Sequence, residues 1–185
     1  MALLRESRES NQVSQLHGAD TLHASIDAAI VIGFSTEKTY LGPMELRLPY
    51  DQLSPDAHKG LYATFAQINR GSLDKAFLEL IYLRVSQMNG CAYCMERHAQ
   101  ALRSASEPDQ RIDTLAGWRL SPHFTDAERA ALAWTEAVTE ITRGQAPDEL
   151  FLALKGHFSS MEISDLSFAI TVMNALNRLA ISMRR

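Results

Sequence analysis

From Ser54 to the end of this 185-residue chain, apolar residues recur three and four positions apart and never alternate with period two over the length of a strand. That pattern suits helices and leaves no segment to organise a sheet. Ser54 and Pro55 read as a helix start, after which Leu61, Phe65 and Ile68 share one face until Gly71. Ser72 opens a second helix whose broad apolar surface holds Leu73, Phe77, Leu80, Ile81, Leu83 and Val85, and Asn89 with Gly90 ends it. A third helix is expected from Cys91 to about Ala105, because Pro108 cannot continue it, and a short piece surrounds Ile112 and Leu115. Thr125 and Glu128 form a capping box for a long helix that turns Ala127, Ala131, Trp134, Val138 and Ile141 inward and closes at Gly144. Pro147 opens a short helix, and the last, from about Glu162 to Met183, buries Leu166, Ile170, Met173, Leu176 and Ala180. The expected class is all-α, a single-domain helical bundle of about six to eight helices.

Residues 1–38 differ, being polar at first and then briefly apolar, and are read as an N-terminal extension of the kind that serves as an oligomer arm. Residues 39–185 are expected to form the helical domain, with Gly42, Pro43 and Pro49 punctuating an extended lead-in. With 46% hydrophobic and 22% charged residues the composition is that of an ordinary globular protein. The net charge of -4 offers no basic stripe for a phosphate backbone, so nucleic acid is not an expected partner. The apolar run at residues 28–34, "AAIVIGF", is far shorter than the ~20 residues of a membrane span, and no membrane association is expected. Glu6 and Glu9 spoil a basic leader and "GFSTEKT" is no small-residue cleavage site, so a cytoplasmic location is expected. In that reducing compartment a close cysteine pair serves catalysis or metal binding more often than permanent bridging.

The two cysteines stand in "NGCAYCMERH", residues 89–98. On a helix the spacings of three and four place Cys91, Cys94 and His98 on one face, continued by Ala101, Leu102 and Ala105. Both thiols lie in the first turn, where unpaired N–H groups and the positive end of the helix dipole favour a thiolate. His98, one turn beyond Cys94, is placed to move a proton, and an imidazole on a partly apolar face needs a partner to fix its tautomer. Glu79 is the candidate partner. It sits mid-helix among Leu78, Leu80 and Ile81, where a carboxylate is costly unless paired, and the turn at Gly90 folds that helix back on the thiol helix.

Glu79, Cys91, Cys94 and His98 have the spacing of the core motif of the alkylhydroperoxidase D branch of the carboxymuconolactone decarboxylase family, which the chain resembles over residues 40–185. The flanking stretches "LIYLRVSQMNGCAYCMERHAQALR", "LAGWRLSPHFTDAERAALAWTEAVTEI" and "AITVMNALNRLAISMR" carry the resemblance further, to the small peroxidase-related members. It implies an all-helical subunit in a homo-oligomer, trimer or hexamer, and a cofactor-free cycle of thiol chemistry on a hydroperoxide substrate. Carried over by motif position, Cys94 is the peroxidatic thiol, Cys91 the resolving thiol, and Glu79 with His98 the proton relay. Cys94 would become a sulfenic acid and Cys91 would capture it as a disulfide, for a dithiol reductant or a lipoyl or thioredoxin-like protein to reduce. Tyr93 stands between the cysteines where some members carry histidine, which puts a further proton-transfer role there in doubt.

Other readings of the same residues are weaker. A lone C-x-x-C can be two small buried hydrophobes. Zinc could draw on both thiols, His98 and Glu79, but structural zinc usually takes its ligands from two separated knuckles, and no metal is expected. Covalent haem fails because Met95 stands where histidine must follow the second cysteine. Glu79 could instead pair with Arg84 or Lys75. A lyase or isomerase acting on a lactone, as in the decarboxylase branch, has no evident need of a dithiol, and a non-catalytic redox sensor would keep the thiols but turn over slowly. Trp118, Trp134, Met161, Met173 and Met183 read as core or subunit contacts. Asn174, Asn177 and Arg178 are expected to bond to a neighbouring helix or subunit, and His17, His23, His58, His123 and His157 to lie on the surface or in loops.

Overall fold

The computed structural model describes residues 45–185, so the extension expected over residues 1–38 lies outside the described residues. The central element is a helix that is apolar nearly all round. In α3 (Lys75–Asn89) the residues Leu78, Leu80, Ile81, Tyr82, Leu83, Val85 and Ser86 are all buried, a distribution only a surrounded helix can satisfy. Around it pack α4 (Ala92–Ser104), α6 (Asp126–Thr139) and α9 (Ser160–Met183), with α2 (Pro55–Ile68) laid on α9 and α8 (Asp148–Lys155) on α6. Short helices α1 (Tyr50–Leu53), α5 (Asp109–Thr114) and α7 (Ile141–Gly144) and a 3-10 turn, Leu115–Gly117, complete the described chain. The bundle is all-α as expected. The expected six to eight helices are nine among the described residues, two of them, α1 and α7, single turns.

Several boundaries differ from expectation for local reasons. The second helix is capped by Asp74, whose Oδ1 accepts from the Phe77 N–H at 3.0 Å, and not by Ser72. The long helix breaks at Glu140, whose backbone is not helical, so α6 and α7 replace one helix running to Gly144. The last helix begins earlier than Glu162 because Ser159 and Glu162 form a capping box, each satisfying the other's backbone N–H. By length and apolarity α9 could cross a bilayer, with a mean hydropathy of 1.3 over its best window. Here Leu166, Ile170 and Met173 are buried against the bundle, worth roughly 1.5 to 3 kcal/mol each.

Two polar centres fix the register of these apolar surfaces. At the foot of α3, Asn89 Nδ2 donates to Asn174 Oδ1 at 2.9 Å and to Asn177 Oδ1 at 3.1 Å, both on α9. Asn177 Nδ2 donates to Ser86 Oγ at 3.3 Å and Asn174 Nδ2 to Thr139 Oγ1 at 3.1 Å, so three helices share one buried network. The expected bond to a neighbouring helix is thus present for both asparagines, while Arg178 is exposed. On the far side of α3, Glu136 accepts from Arg84 Nε at 2.8 Å, from Trp118 Nε1 at 2.7 Å and from Arg119 Nη1 at 2.5 Å. Trp134 also spans helices, its Nε1 donating to Ser167 Oγ at 3.1 Å, whereas Met161 is exposed.

Truncating Asn89 to alanine strands two buried carbonyl oxygens, and Asn89→Ala is expected to cost about 2 kcal/mol by denaturant unfolding. Burial alone would raise the Glu136 carboxyl, but hydrogen bonds from Trp118, Arg119 and Arg84 outweigh it and hold the group below the usual carboxylate range. A carboxyl so held adds stability above its unfolded value and gives it up as pH falls through the lower folded value. Glu136→Gln is therefore expected to lower Tm at neutral pH and to flatten the acid side of the stability curve, read by thermal melts from neutral pH to about pH 3.

Candidate active site

The thiols are carried on a turn whose geometry follows from one glycine. Gly90 ends α3 with φ 73° and ψ 29°, a left-handed conformation that a side chain disfavours, and the next N–H, that of Cys91, returns to Ser86 O at 3.0 Å. The chain thereby leaves α3 and enters α4 at once. Cys91 is the N-cap residue in extended conformation, its carbonyl accepting from Met95 N–H at 2.9 Å, and Cys94 is the third residue of the helix. The two are joined as a disulfide with Cα atoms 5.3 Å apart. The thiols therefore sit where the helix end offers free N–H groups and positive potential.

The two sulfurs are not equivalent. Cys91 is 2% exposed and Cys94 7%, and only Cys94 lines a cleft of about 470 Å³. Glu79 and His98 line the same cleft, with His98 Nδ1 2.6 Å from Glu79 Oε2. A carboxylate accepts, so Nδ1 is the donor to Glu79 and Nε2 is the ring nitrogen left without that partner. Glu79 does not pair with Arg84, which is engaged by Glu136, nor is it paired with Lys75. The Tyr82 ring packs against His98 with centroids 5.3 Å apart, and burial together with the nearby Glu79 carboxylate raises the Tyr82 hydroxyl far above its ordinary value. Tyr82 thus backs His98 from within the core. Among the described residues no three His, Cys, Asp or Glu side chains gather as a metal-holding group.

The structure brings all four motif residues together and adds some that the sequence reading passed over. His58, expected on the surface or in a loop, lies on α2 against the cleft, its ring 4.5 Å from that of Tyr62, and its buried Nε2 has no partner among the described residues. His58, Tyr62 and Phe65 are spaced by four and three, so helical periodicity could have placed His58 on the inner stripe. Arg97, three residues beyond Cys94 on α4, also borders the cleft, as do Tyr50 and Arg185 from segments too far away in sequence for spacing to place them there. His123 and His157 are exposed as expected, and His17 and His23 lie outside the described residues.

Comparison with known proteins places the chain in a family. Residues 55–137 match the carboxymuconolactone decarboxylase family, a span that contains all four motif residues. The uncharacterized protein YdfG of Bacillus subtilis (strain 168) is 34% identical over 140 residues, covering 76% of this chain and 95% of YdfG. The alkyl hydroperoxide reductase AhpD of Nocardia farcinica is 34% identical over 102 residues, 55% of this chain and 52% of that protein. A crystal structure of a protein of unknown function from Agrobacterium tumefaciens, named for AhpD-type antioxidant defence, superposes with a TM-score of 0.73 at 38% identity, covering 76% of this chain and 96% of that one.

The unequal exposure has a direct chemical readout. After reduction, iodoacetamide is expected to modify Cys94 before Cys91, as peptide mass spectrometry at short times would show; equal labelling would contradict the geometry.

Proposed function

Because the chain belongs to the carboxymuconolactone decarboxylase family, on its alkylhydroperoxidase D-like side, and sets a Cys-x-x-Cys pair beside a glutamate–histidine pair, we propose that it is a thiol peroxidase acting on organic hydroperoxides or hydrogen peroxide. The observation that carries the reading is the shared cleft: Cys94, Glu79 and His98 line it together while Cys91 stands directly behind.

In the proposed cycle His98 Nε2 takes the Cys94 proton, and Glu79 holds the imidazole through Nδ1 and stabilises the imidazolium that forms. The Cys94 thiolate attacks the terminal peroxide oxygen. The S–O bond forms as the O–O bond breaks, and the leaving alkoxide takes the proton from His98 and departs as the alcohol. Cys94 is now a sulfenic acid. The Cys91 sulfur attacks it, hydroxide leaves and is protonated to water, and the disulfide seen here results. A dithiol restores both thiols and is itself oxidised to a disulfide, so each turnover converts one hydroperoxide and one dithiol into an alcohol, water and an oxidised dithiol. A lipoyl or thioredoxin-like protein as that dithiol, a homo-oligomeric assembly and a cytoplasmic location belong to the same proposal.

The test is consumption of cumene hydroperoxide by pre-reduced protein, with loss of thiols followed alongside and dithiol then added. One peroxide per two thiols, followed by continued turnover, supports the reading; thiols that stay reduced overturn it. Cys94→Ser is expected to abolish consumption, whereas Cys91→Ser should consume one equivalent and stop as a sulfenic acid that a dimedone probe traps. Glu79→Gln and His98→Gln are each expected to slow the oxidation step by about 10²-fold, the usual loss of a positioned acid–base group.

A further inference from the structure

The rim of the Cys94 cleft carries positive charge that the proposed peroxide chemistry does not use. Tyr93, the residue between the two cysteines, is half-buried and has two guanidinium groups near its ring: Arg97 Cζ is 5.6 Å and Arg185 Cζ 5.3 Å from the centroid. Arg185 Nη1 also donates to Tyr50 Oη at 3.2 Å, which tethers it over the same opening. Arg97 stands one turn beyond Tyr93 on α4. Among the described residues neither guanidinium has a carboxylate partner, so both charges are open to a ligand at the cleft. Two carboxylates also border the cleft: Glu79, already held by His98, and Asp51 on α1. Deeper in, Phe65, Met173 and Leu176 offer apolar surface. A cleft with an apolar body, two unmatched guanidiniums at its rim and a reactive sulfur in its wall fits an amphiphile whose one anionic group stays at the mouth.

Resting on the peroxidase reading, we propose that the substrate class is an organic hydroperoxide bearing a carboxylate, held by Arg97 and Arg185 while its apolar part lies along Met173 and Leu176 and its peroxide reaches Cys94. The sulfur chemistry is unchanged; the clamp determines which hydroperoxide arrives. A carboxylate could equally belong to the dithiol that reduces the enzyme, so the two half-reactions must be measured apart.

The test compares cumene hydroperoxide with its para-carboxylate in single turnovers of pre-reduced protein. Wild type is expected to prefer the carboxylate, and Arg97→Ala and Arg185→Ala each to lower the carboxylate-to-neutral rate ratio about tenfold, the scale of one charge-assisted contact. Arg97→Lys should restore part of it, and added salt should shrink it. A general effect of Arg97 on the acidity of Cys94 would slow both substrates alike and leave the ratio in place. An unchanged ratio overturns the clamp, and so does discrimination confined to the reductive half, with dihydrolipoate against dithiothreitol. If wild type consumes neither hydroperoxide, the peroxidase reading itself fails. The clamp is then judged by calorimetry with para-isopropylbenzoate and para-isopropylbenzamide on the oxidised protein. Tighter binding of the benzoate, lost in Arg97→Ala, sustains an anion clamp; equal or absent binding of the two removes it.

Discussion

The amide of Asn89 is the interaction on which the arrangement of the site depends. A helix as apolar as α3 could slide or rotate against α9 with little loss of buried area, because aliphatic surfaces are forgiving of register. A primary amide between two carbonyl oxygens is not. Asn89 reaches Asn174 and Asn177 in one position of α3 on α9, and Ser86 and Thr139 close the network. Any other register leaves buried polar atoms unpaired, each at a cost of about 1 to 3 kcal/mol. The network lies immediately before Gly90 and Cys91, so the turn bearing the thiols inherits its position from these hydrogen bonds.

Glu79 depends on the same helix. It stands ten residues before Asn89 on α3, near the other end, where α4 folds back antiparallel and brings His98 opposite it. A half-buried carboxylate among leucines would be a liability alone, and His98 provides the donor that makes it tolerable. The pair therefore does two things at once. It closes the packing of α3 on α4, and it leaves one imidazole nitrogen without a carboxylate partner beside the cleft that Cys94 lines. On the opposite flank Arg84 is drawn away to Glu136 and does not compete for Glu79.

What was legible in the sequence was what local geometry dictates. The helical class followed from spacings of three and four, and the sharp reversal between α3 and α4 from Asn89 and Gly90. The meeting of Glu79 with His98 followed from that reversal. Other features depend on groups that only the fold assembles. Asp74 won the cap of α3 from Ser72 because its oxygen meets the Phe77 N–H, while Ser72 bonds instead to Asp165 on α9. The break at Glu140 has no proline or glycine to announce it. His58 carried a readable period but no chemical neighbour in sequence, and Arg185 reaches Tyr50 across 135 positions. Long-range electrostatics at the rim of the cleft are the least local property of the site and were the least visible.

The unequal burial of the two cysteines within one turn suits the two halves of the thiol cycle proposed above. A nucleophile must meet its substrate, while the thiol that resolves it is better kept from stray oxidants. In the proposed cycle the helix start would separate these demands within three residues. Cys91, as N-cap, is still directed by the left-handed turn at Gly90 into the packing under Ala180, whereas Cys94, one turn on, has rotated to the cleft. Tyr93 between them covers the disulfide from outside and carries the two guanidiniums at the rim. Because its ring is part of that lid, the residue between the cysteines can influence which molecules reach Cys94 without itself moving a proton. In this chain an aromatic ring at that position offers a surface for stacked cations in place of an imidazole's proton transfer.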